Sequence, residues 1–318
     1  RRGQQVLHGL QAKIRERRQA GRTAGLGPPI EDAPRLVAGG AEAFGRGEAR
    51  GGVTAQTPPP APIVPGQIVA ASAIRNDGGR IYAGDVQLHT PAIDNSGGTL
   101  SVGELQVSGP RFSNAGGTLQ VARQFNAQVD RLDNSGGRLE AGSIQIQATG
   151  DVLNGDGQMR SASDIAITAG GQLQTSGSMT AERHITVDAG SVNAGAASSL
   201  GAGIHADGSL ASEGDLRVTS VSSLVAQGHN VAAGTFAAQG ASVDVAGSRT
   251  SASNIALAAT QGAVSTRGAI VVTPGSLNVQ SGSAQAAWIN DGGTVQAGQL
   301  STATANIRNR EGGEIVQT

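Results

Sequence analysis

Two acidic residues, Asp85 and Glu104, stand at equivalent places in two similar stretches of the chain. Each directly precedes an apolar residue that is followed by another two places later, as in DVQL at 85–88. If the stretches lie side by side, the two carboxyl groups are close, and such a pair suffices for glycosidic cleavage. Gln124 and Ser143 hold the next equivalent places. Asp85 and Glu104 are therefore isolated candidate catalytic residues, and a solvated surface role is favoured for both.

Other residue types that support catalysis or metal binding lack a functional spacing. No two of the five histidines stand at a zinc-type His-x-x-x-His spacing, and Cys is absent. No Gly-x-x-x-x-Gly-Lys phosphate loop occurs, and the only lysine is Lys13. We therefore predict no metal site, no cofactor and no enzymatic activity.

The composition argues against an ordinary globular core. Gly accounts for 49 of 318 residues, aromatic residues for 2% and charged residues for 15%, which is fewer charges than a typical soluble domain carries. A chain with so few large side chains needs a narrow interior. Residues 67–318 carry thirteen Lys and Arg against nineteen Asp and Glu, so nothing favours nucleic-acid binding. No apolar run approaches the roughly 18–20 residues of a membrane span.

The acidic pair belongs to a pattern that recurs about every twenty residues. First members of the apolar pairs are 19–23 residues apart, except for one step of 31. The pairs are Val86/Leu88, Leu105/Val107, Phe125/Ala127, Ile144/Ile146, Ile165/Ile167, Ile185/Val187, Leu216/Val218, Phe236/Ala238, Ile255/Leu257, Leu277/Val279 and Leu300/Thr302. The residue before each pair is always polar: Asp85, Glu104, Gln124, Ser143, Asp164, His184, Asp215, Thr235, Asn254, Ser276 and Gln299. Such alternation predicts strands with one buried face.

A second apolar position precedes eight of the eleven pairs, and a turn precedes six of them. The apolar residue comes five or six places earlier, at Ile81, Leu100, Leu119, Leu139, Met159, Met179, Leu210 and Val295. Ahead of it stands Asn-x-Gly-Gly or its variant, beginning at Asn76, Asn95, Asn114, Asn134, Asn154 and Asn290. Gly adopts positive φ at little cost, and Asn tolerates it while bonding nearby backbone. The motif therefore predicts a sharp corner at a fixed place in every repeat.

Together these features predict an all-β parallel β-helix of about twelve coils of about 20 residues. Coils stacked about 4.8 Å apart make a rod roughly 55–60 Å long. A leucine-rich repeat, a calcium-binding nonapeptide repeat and a β-propeller all conflict with the period or the composition. The 31-residue step predicts an insertion of about eleven residues within 188–213.

The chain divides into two segments at a Pro-rich stretch. Residues 66–318 form the predicted β-helix, which we expect to continue beyond residue 318 in the natural protein. Residues 1–65 form a basic Gly- and Pro-rich arm, expected to be largely disordered or linker, with a possible amphipathic helix at 4–19.

The repeat resembles the filamentous haemagglutinin family of large bacterial exoproteins. The resemblance is carried by the units 93–111, 112–131 and 132–151, with Leu/Ile-x-Asn-x-Gly-Gly-x-Leu followed by Ala-Gly-x-Ile-x-Ile in the last. The corner motif is lost at 188–213 and 258–287. The resemblance implies a right-handed β-helix that is exported through a partner outer-membrane transporter and is secreted or displayed at the cell surface.

Three functions remain open at this point. The first is an adhesin segment that binds a receptor or glycan on host or neighbouring cells through a repetitive surface. The second is the stalk of a contact-dependent growth inhibition toxin, and the third is a glycan-active enzyme that uses Asp85 and Glu104.

Overall fold

The computed structural model describes residues 67–69, 73–283 and 286–318, and it confirms an all-β parallel solenoid of about twelve coils. The predicted arm and the helix at 4–19 lie outside the described residues. The strands are β1 (Gln67–Val69), β2 (Ile74–Arg75), β3 (Arg80–His89), β4 (Ala92–Asp94), β5 (Thr99–Ser113), β6 (Thr118–Asp133), β7 (Arg138–Ala148), β8 (Val152–Asn154), β9 (Gln158–Ser161), β10 (Ile165–Thr175), β11 (Ser178–Ala181), β12 (Ile185–Ala194), β13 (Ser199–Ala202), β14 (Leu216–Ser220), β15 (Ser223–Ala226), β16 (His229–Gly240), β17 (Ser242–Asp244), β18 (Arg249–Ala259), β19 (Val264–Ser265), β20 (Ile270–Ser281), β21 (Ala287–Ile289), β22 (Thr294–Ala303), β23 (Asn306–Arg308) and β24 (Glu314–Gln317).

Every pairing between these strands is parallel and joins one coil to the next. No helix occurs in the described part of the chain. The right-handed winding expected from the resemblance stays a prediction, and about 98% of crossovers between parallel strands have that hand.

One coil, residues 134–153, illustrates how the sequence makes three faces. After the corner, Leu139 and Ala141 point inward on the first face, and Ile144 and Ile146 do so on the second. Val152 fills the third face, where β8 is only three residues long. All five side chains are buried, and their neighbours in the sequence point outward, as the period of two requires.

Like residues stack on like along the rod, so that the coils share one continuous core. The second-face column contains the predicted pairs, and all of them are buried except Leu300 and Thr302 in the last coil. None of the residues in the polar column before them is buried. The third-face column, which the predicted pairs do not include, consists of Ile74, Ile93, Phe112, Leu132, Val152, Leu173, Val192, Leu224, Val243, Val264, Trp288 and Ile307.

The assignment of Leu210 to the first-face column is wrong. Leu200 pairs with Met179 in that column, whereas Leu210 is 40% exposed. The inserted residues follow β13 rather than precede it. The position six residues before Leu216 therefore lies in the insertion and not in the first-face strand. They form a small hairpin whose Ile204 and Leu210 make an isolated antiparallel bridge.

The corners are held by a ladder of buried asparagines. The side-chain amide of Asn76 donates to Oδ1 of Asn95, and the same bond repeats through Asn114, Asn134 and Asn154 at 2.6–2.8 Å. Each amide also donates to a backbone carbonyl of the next coil, as from Asn114 to Arg138 at 3.2 Å. All five side chains are at most 8% exposed, so these hydrogen bonds satisfy groups that water does not reach.

The two glycines of the corner have different tasks. The first adopts positive φ, as at Gly136 with φ of 62°, within a turn closed by a bond from Gly137 N to Asn134 O. The second allows coils to approach, because a Cβ on Gly137 would lie 2.0 Å from the backbone oxygen of Asn114. Asn154-Gly-Asp-Gly keeps the second glycine and places Asp156 at the positive φ.

The ladder is interrupted near the insertion. Asn154 still donates to Thr175 Oγ1 at 3.2 Å, but the corner column then continues as Ala194 and Ala226. It regains side-chain hydrogen bonding where Thr266 donates to Asn290 at 2.7 Å. In this part of the rod the first-face column turns polar, with Asn230 donating to Thr250 at 3.1 Å. Asn230 Oδ1 and Ser198 Oγ are buried without a partner among the described residues. These coils are therefore less completely hydrogen-bonded than the others.

Substituting Asn114 by Ala tests the ladder. The change leaves Asn134 Oδ1 without a partner, whereas the Asn95 amide keeps its longer bonds to the backbone oxygens of Gly98 and Thr118. One buried orphan predicts a loss of about 1–3 kcal/mol. Urea denaturation followed by circular dichroism measures this loss. Asn278→Ala, on the outward side of β20, is the matched control and should change stability little. Equal effects of the two substitutions would contradict a stabilising ladder.

Candidate functional site

The structure brings Asp85 and Glu104 together, as the repeat predicts. The two residues are register partners in β3 and β5, and both side chains project from the second face. Arg123, on the following coil, reaches back to both carboxylates. Its Nη2 lies 2.5 Å from Asp85 Oδ1 and 3.4 Å from Glu104 Oε2.

Sequence reasoning missed Arg123 because it lies one place before the polar column. The column member on its coil is Gln124, which pairs with Ser143. The register of β5 and β6 shifts between Val102 and Leu105, and this irregularity lies where the first face turns into the second. The sequence feature that could have identified Arg123 is a cationic residue beside the polar column, one coil after the two carboxylates.

The trio is an open ion-pair cluster rather than an enclosed site. The side chains of Asp85, Glu104 and Arg123 are 64%, 47% and 57% exposed. The hydrogen bond to Asp85 and its charge, followed by Glu104, raise the pKa of Arg123 above the usual arginine value. A glycosidase needs one carboxyl group to act as acid while another acts as base or nucleophile. Here one exposed guanidinium contacts both carboxylates, and no enclosing wall separates their environments, so the arrangement favours a surface ion pair.

The described histidines are distributed singly along the rod. His89 Nδ1 lies 2.7 Å from Ser108 Oγ, and His184 Nδ1 accepts a bond from the Asp215 backbone N at 3.1 Å. His205, in the inserted hairpin, lies 3.8 Å from Glu182 Oε2. Within the described ranges, no three His, Asp or Glu side chains converge in a way that could hold a metal ion.

Another carboxylate, Asp291, is held at the corner of a later coil. Its side chain is 2% exposed and accepts hydrogen bonds from Arg308 Nε at 2.7 Å and from the same guanidinium's Nη2. The Arg310 backbone N donates to its other oxygen at 3.2 Å. The hydrogen bond from Arg308 is the main cause that lowers the pKa of Asp291 below the usual aspartate value, and burial opposes it. This pair joins two coils and is structural.

Comparison with known proteins gives matches to one family. The model of the haemagglutinin repeat matches residues 66–109, 98–177 and 141–219. The chain is 40% identical over 144 residues to a protein named Toxin CdiA from Yersinia pestis, covering 45% of this chain and 4% of that protein. It is 40% identical over 100 residues to tRNA nuclease CdiA-2 from Burkholderia pseudomallei (strain 1026b), covering 31% of this chain and 3% of that protein.

The chain thus spans a small fraction of the length of these curated relatives. No solved structure matches it. None of the described residues belongs to a helix long and apolar enough to cross a membrane. The haemagglutinin-repeat matches end at residue 219, whereas the parallel pairing of coils continues to β24.

The low pKa of Asp291 predicts acid sensitivity at this corner. The folded state binds a proton on Asp291 less readily than the unfolded state does. The stability that the pair contributes is therefore complete above about pH 4, near the ordinary aspartate value, and is lost as the pH falls below it. Thermal unfolding between pH 6 and pH 2.5 should show a smaller acid-dependent decrease in Tm for Asp291→Asn than for the wild type. The exposed Asp188→Asn should keep the wild-type profile. A wild-type profile for Asp291→Asn would refute the assignment.

Proposed function

We infer that this chain belongs to the filamentous haemagglutinin-like family of two-partner secretion exoproteins, and we propose that its solenoid is a rigid stalk segment of a longer extracellular protein. The observation that carries the proposal is the uninterrupted parallel pairing from β1 to β24. Because each coil is hydrogen-bonded only to the coils before and after it, the fold extends along one axis. A longer chain therefore makes a longer rod.

Toxin delivery is one use of such a stalk. It is supported by the names of the two relatives, a toxin and a tRNA nuclease, each of which is far longer than this chain. In this role the repeats hold a toxic part at a distance from the producing cell, and the outward residues have no specific partner.

Adhesion is the other use. It is supported by the outward columns, which place similar polar side chains at regular spacing along the rod and could give many weak contacts with one cell surface. The receptor or glycan would lie on a host or neighbouring cell.

Family membership also supports an outer-membrane transporter as the partner for export, and a secreted or cell-surface location. We further propose that the segment is not an enzyme. The open ion-pair cluster of Asp85, Glu104 and Arg123 supports that proposal, because both carboxylates share one cation.

Removal of whole coils from the exported protein tests the stalk. Deletion of 114–153 joins Ser113 to Asn154 in register and should leave a folded, exported rod about 10 Å shorter. Deletion of 114–143 is out of register. It places apolar strand residues where the corner residues of the next coil should follow Ser113, and it should abolish folding. Electron microscopy measures length, and the culture medium or cell surface shows export.

The same deletion separates the two uses. A stalk for toxin delivery predicts that growth inhibition of neighbouring cells persists in the in-register deletion. Loss of adhesion with unchanged export would instead assign function to the outward surface of these coils. Failure of both deletions to fold would contradict a modular stalk.

A paired substitution tests the absence of catalysis. Asp85→Asn with Glu104→Gln should leave any polysaccharide cleavage by the purified chain unchanged, because the carboxylates are assigned to an ion pair. Reducing-end release from polysaccharides measures cleavage, and Asp188→Asn is the matched control. If the control cleaves polysaccharide and the double variant does not, Asp85 and Glu104 are catalytic.

A further inference from the structure

A shallow groove of about 410 Å³ crosses three coils at the edge between the second and third faces. Its polar lining comes from Gln128, Asp130, Gln147 and Thr149, and Pro110 closes part of it. Thr149 donates a hydrogen bond to Asp130 at 2.8 Å, which fixes one wall. The groove is within the size range of small-ligand sites.

Carboxamide side chains lie in two neighbouring columns beside and within this groove. Gln106, Asn126 and Gln145 are register partners in one outward column, and Gln128 and Gln147 are partners in the next. We name these five residues the amide ledge. The first column also contains Gln87 on the preceding coil, whereas both columns change to Ala166 and Thr168 on the following coil, so only the three groove coils carry amides in both columns or beside the groove.

The ledge has unused hydrogen-bonding capacity. The four Gln side chains make no hydrogen bond to any other residue that the structure describes, and each amide offers two donors and an acceptor. Asn126 Oδ1 is covered by its neighbours and has no partner among the described residues. A ligand hydroxyl that moves the flexible Gln side chains aside would give this oxygen a hydrogen bond that the free protein lacks.

The chemistry of the ledge selects for hydroxyl groups rather than charges. Its two columns contain no charged residue over these three coils, and Asp130, the one charged residue that lines the groove, already accepts a hydrogen bond from Thr149. A carboxamide can donate to one hydroxyl and accept from its neighbour, which matches the adjacent hydroxyls of a sugar ring. Successive amides recur every coil, about 4.8 Å apart, which is close to the advance of one sugar ring in an extended glycan.

We propose that the amide ledge and its groove bind a neutral glycan chain that lies along the rod axis. The site contains no aromatic platform, so each ring contributes through hydrogen bonds alone and several rings must bind together. This inference deepens the adhesive use proposed above and rests on it, whereas the stalk itself depends on the inward columns and corners and not on the ledge. Failure of either the ledge or the stalk therefore leaves the other intact.

A glycan array probed with the full chain tests the site. The array carries neutral β-linked oligosaccharides of two to six rings and their sulfated and uronate-containing counterparts, and titration calorimetry follows with the neutral hexasaccharides that bind. We expect binding to neutral chains that strengthens with ring number. The double variant Gln128→Ala with Gln147→Ala should weaken it at least tenfold.

A matched control uses the same outward column on distant coils. Gln239→Ala with Gln280→Ala removes two amides of that column and should retain wild-type affinity. Circular dichroism should be identical for all variants, because the substituted side chains lie outside the core. The proposal is overturned by an array without neutral ligands, by binding restricted to acidic glycans, or by equal affinity loss in both double variants.

Discussion

The hydrogen-bonded corner is the constraint on which the rest of the rod depends. Each buried asparagine bonds to its equivalent on the next coil, so Asn95 has its partner only if the chain returns after one full repeat to the same corner. The glycine that follows lets the backbone of one coil touch the next, as Gly137 does against Asn114. Register, coil spacing and turn position are thereby fixed together, and the strands have only to fill the distance between corners.

This constraint explains why so few large side chains suffice. When coils repeat in register, mostly aliphatic side chains stack in narrow buried columns, and the described core includes only four aromatic side chains, Phe112, Phe125, Phe236 and Trp288. Where the corner loses its asparagine, between Thr175 and Thr266, the interior accepts the polar pair Asn230 and Thr250, and the inserted hairpin of Ile204 and Leu210 follows β13. The two irregularities thus occur in the part of the rod whose corners lack the asparagine ladder.

The same architecture separates function from fold. Inward columns and corners specify the solenoid, which leaves every outward position free to vary without loss of the core. Asp85, Glu104 and Arg123 use that freedom for an exposed ion-pair cluster, and the amide ledge uses it for a concentration of uncharged hydrogen-bonding groups. A stalk built in this way can acquire recognition sites on single coils while its length and stiffness remain those of the repeat.

The sequence by itself determined the period, the corners, the second-face column and the pairing of Asp85 with Glu104, because each depends only on a residue type that recurs at a fixed spacing. Only the tertiary structure decided the third-face column, the place of Leu200 and the reach of Arg123. Strands of two or three residues carry too little alternation to be recognised, and an insertion shifts the count of every residue around it. A long side chain can also bond to a coil other than its own, and spacing along the chain does not record which coil it reaches.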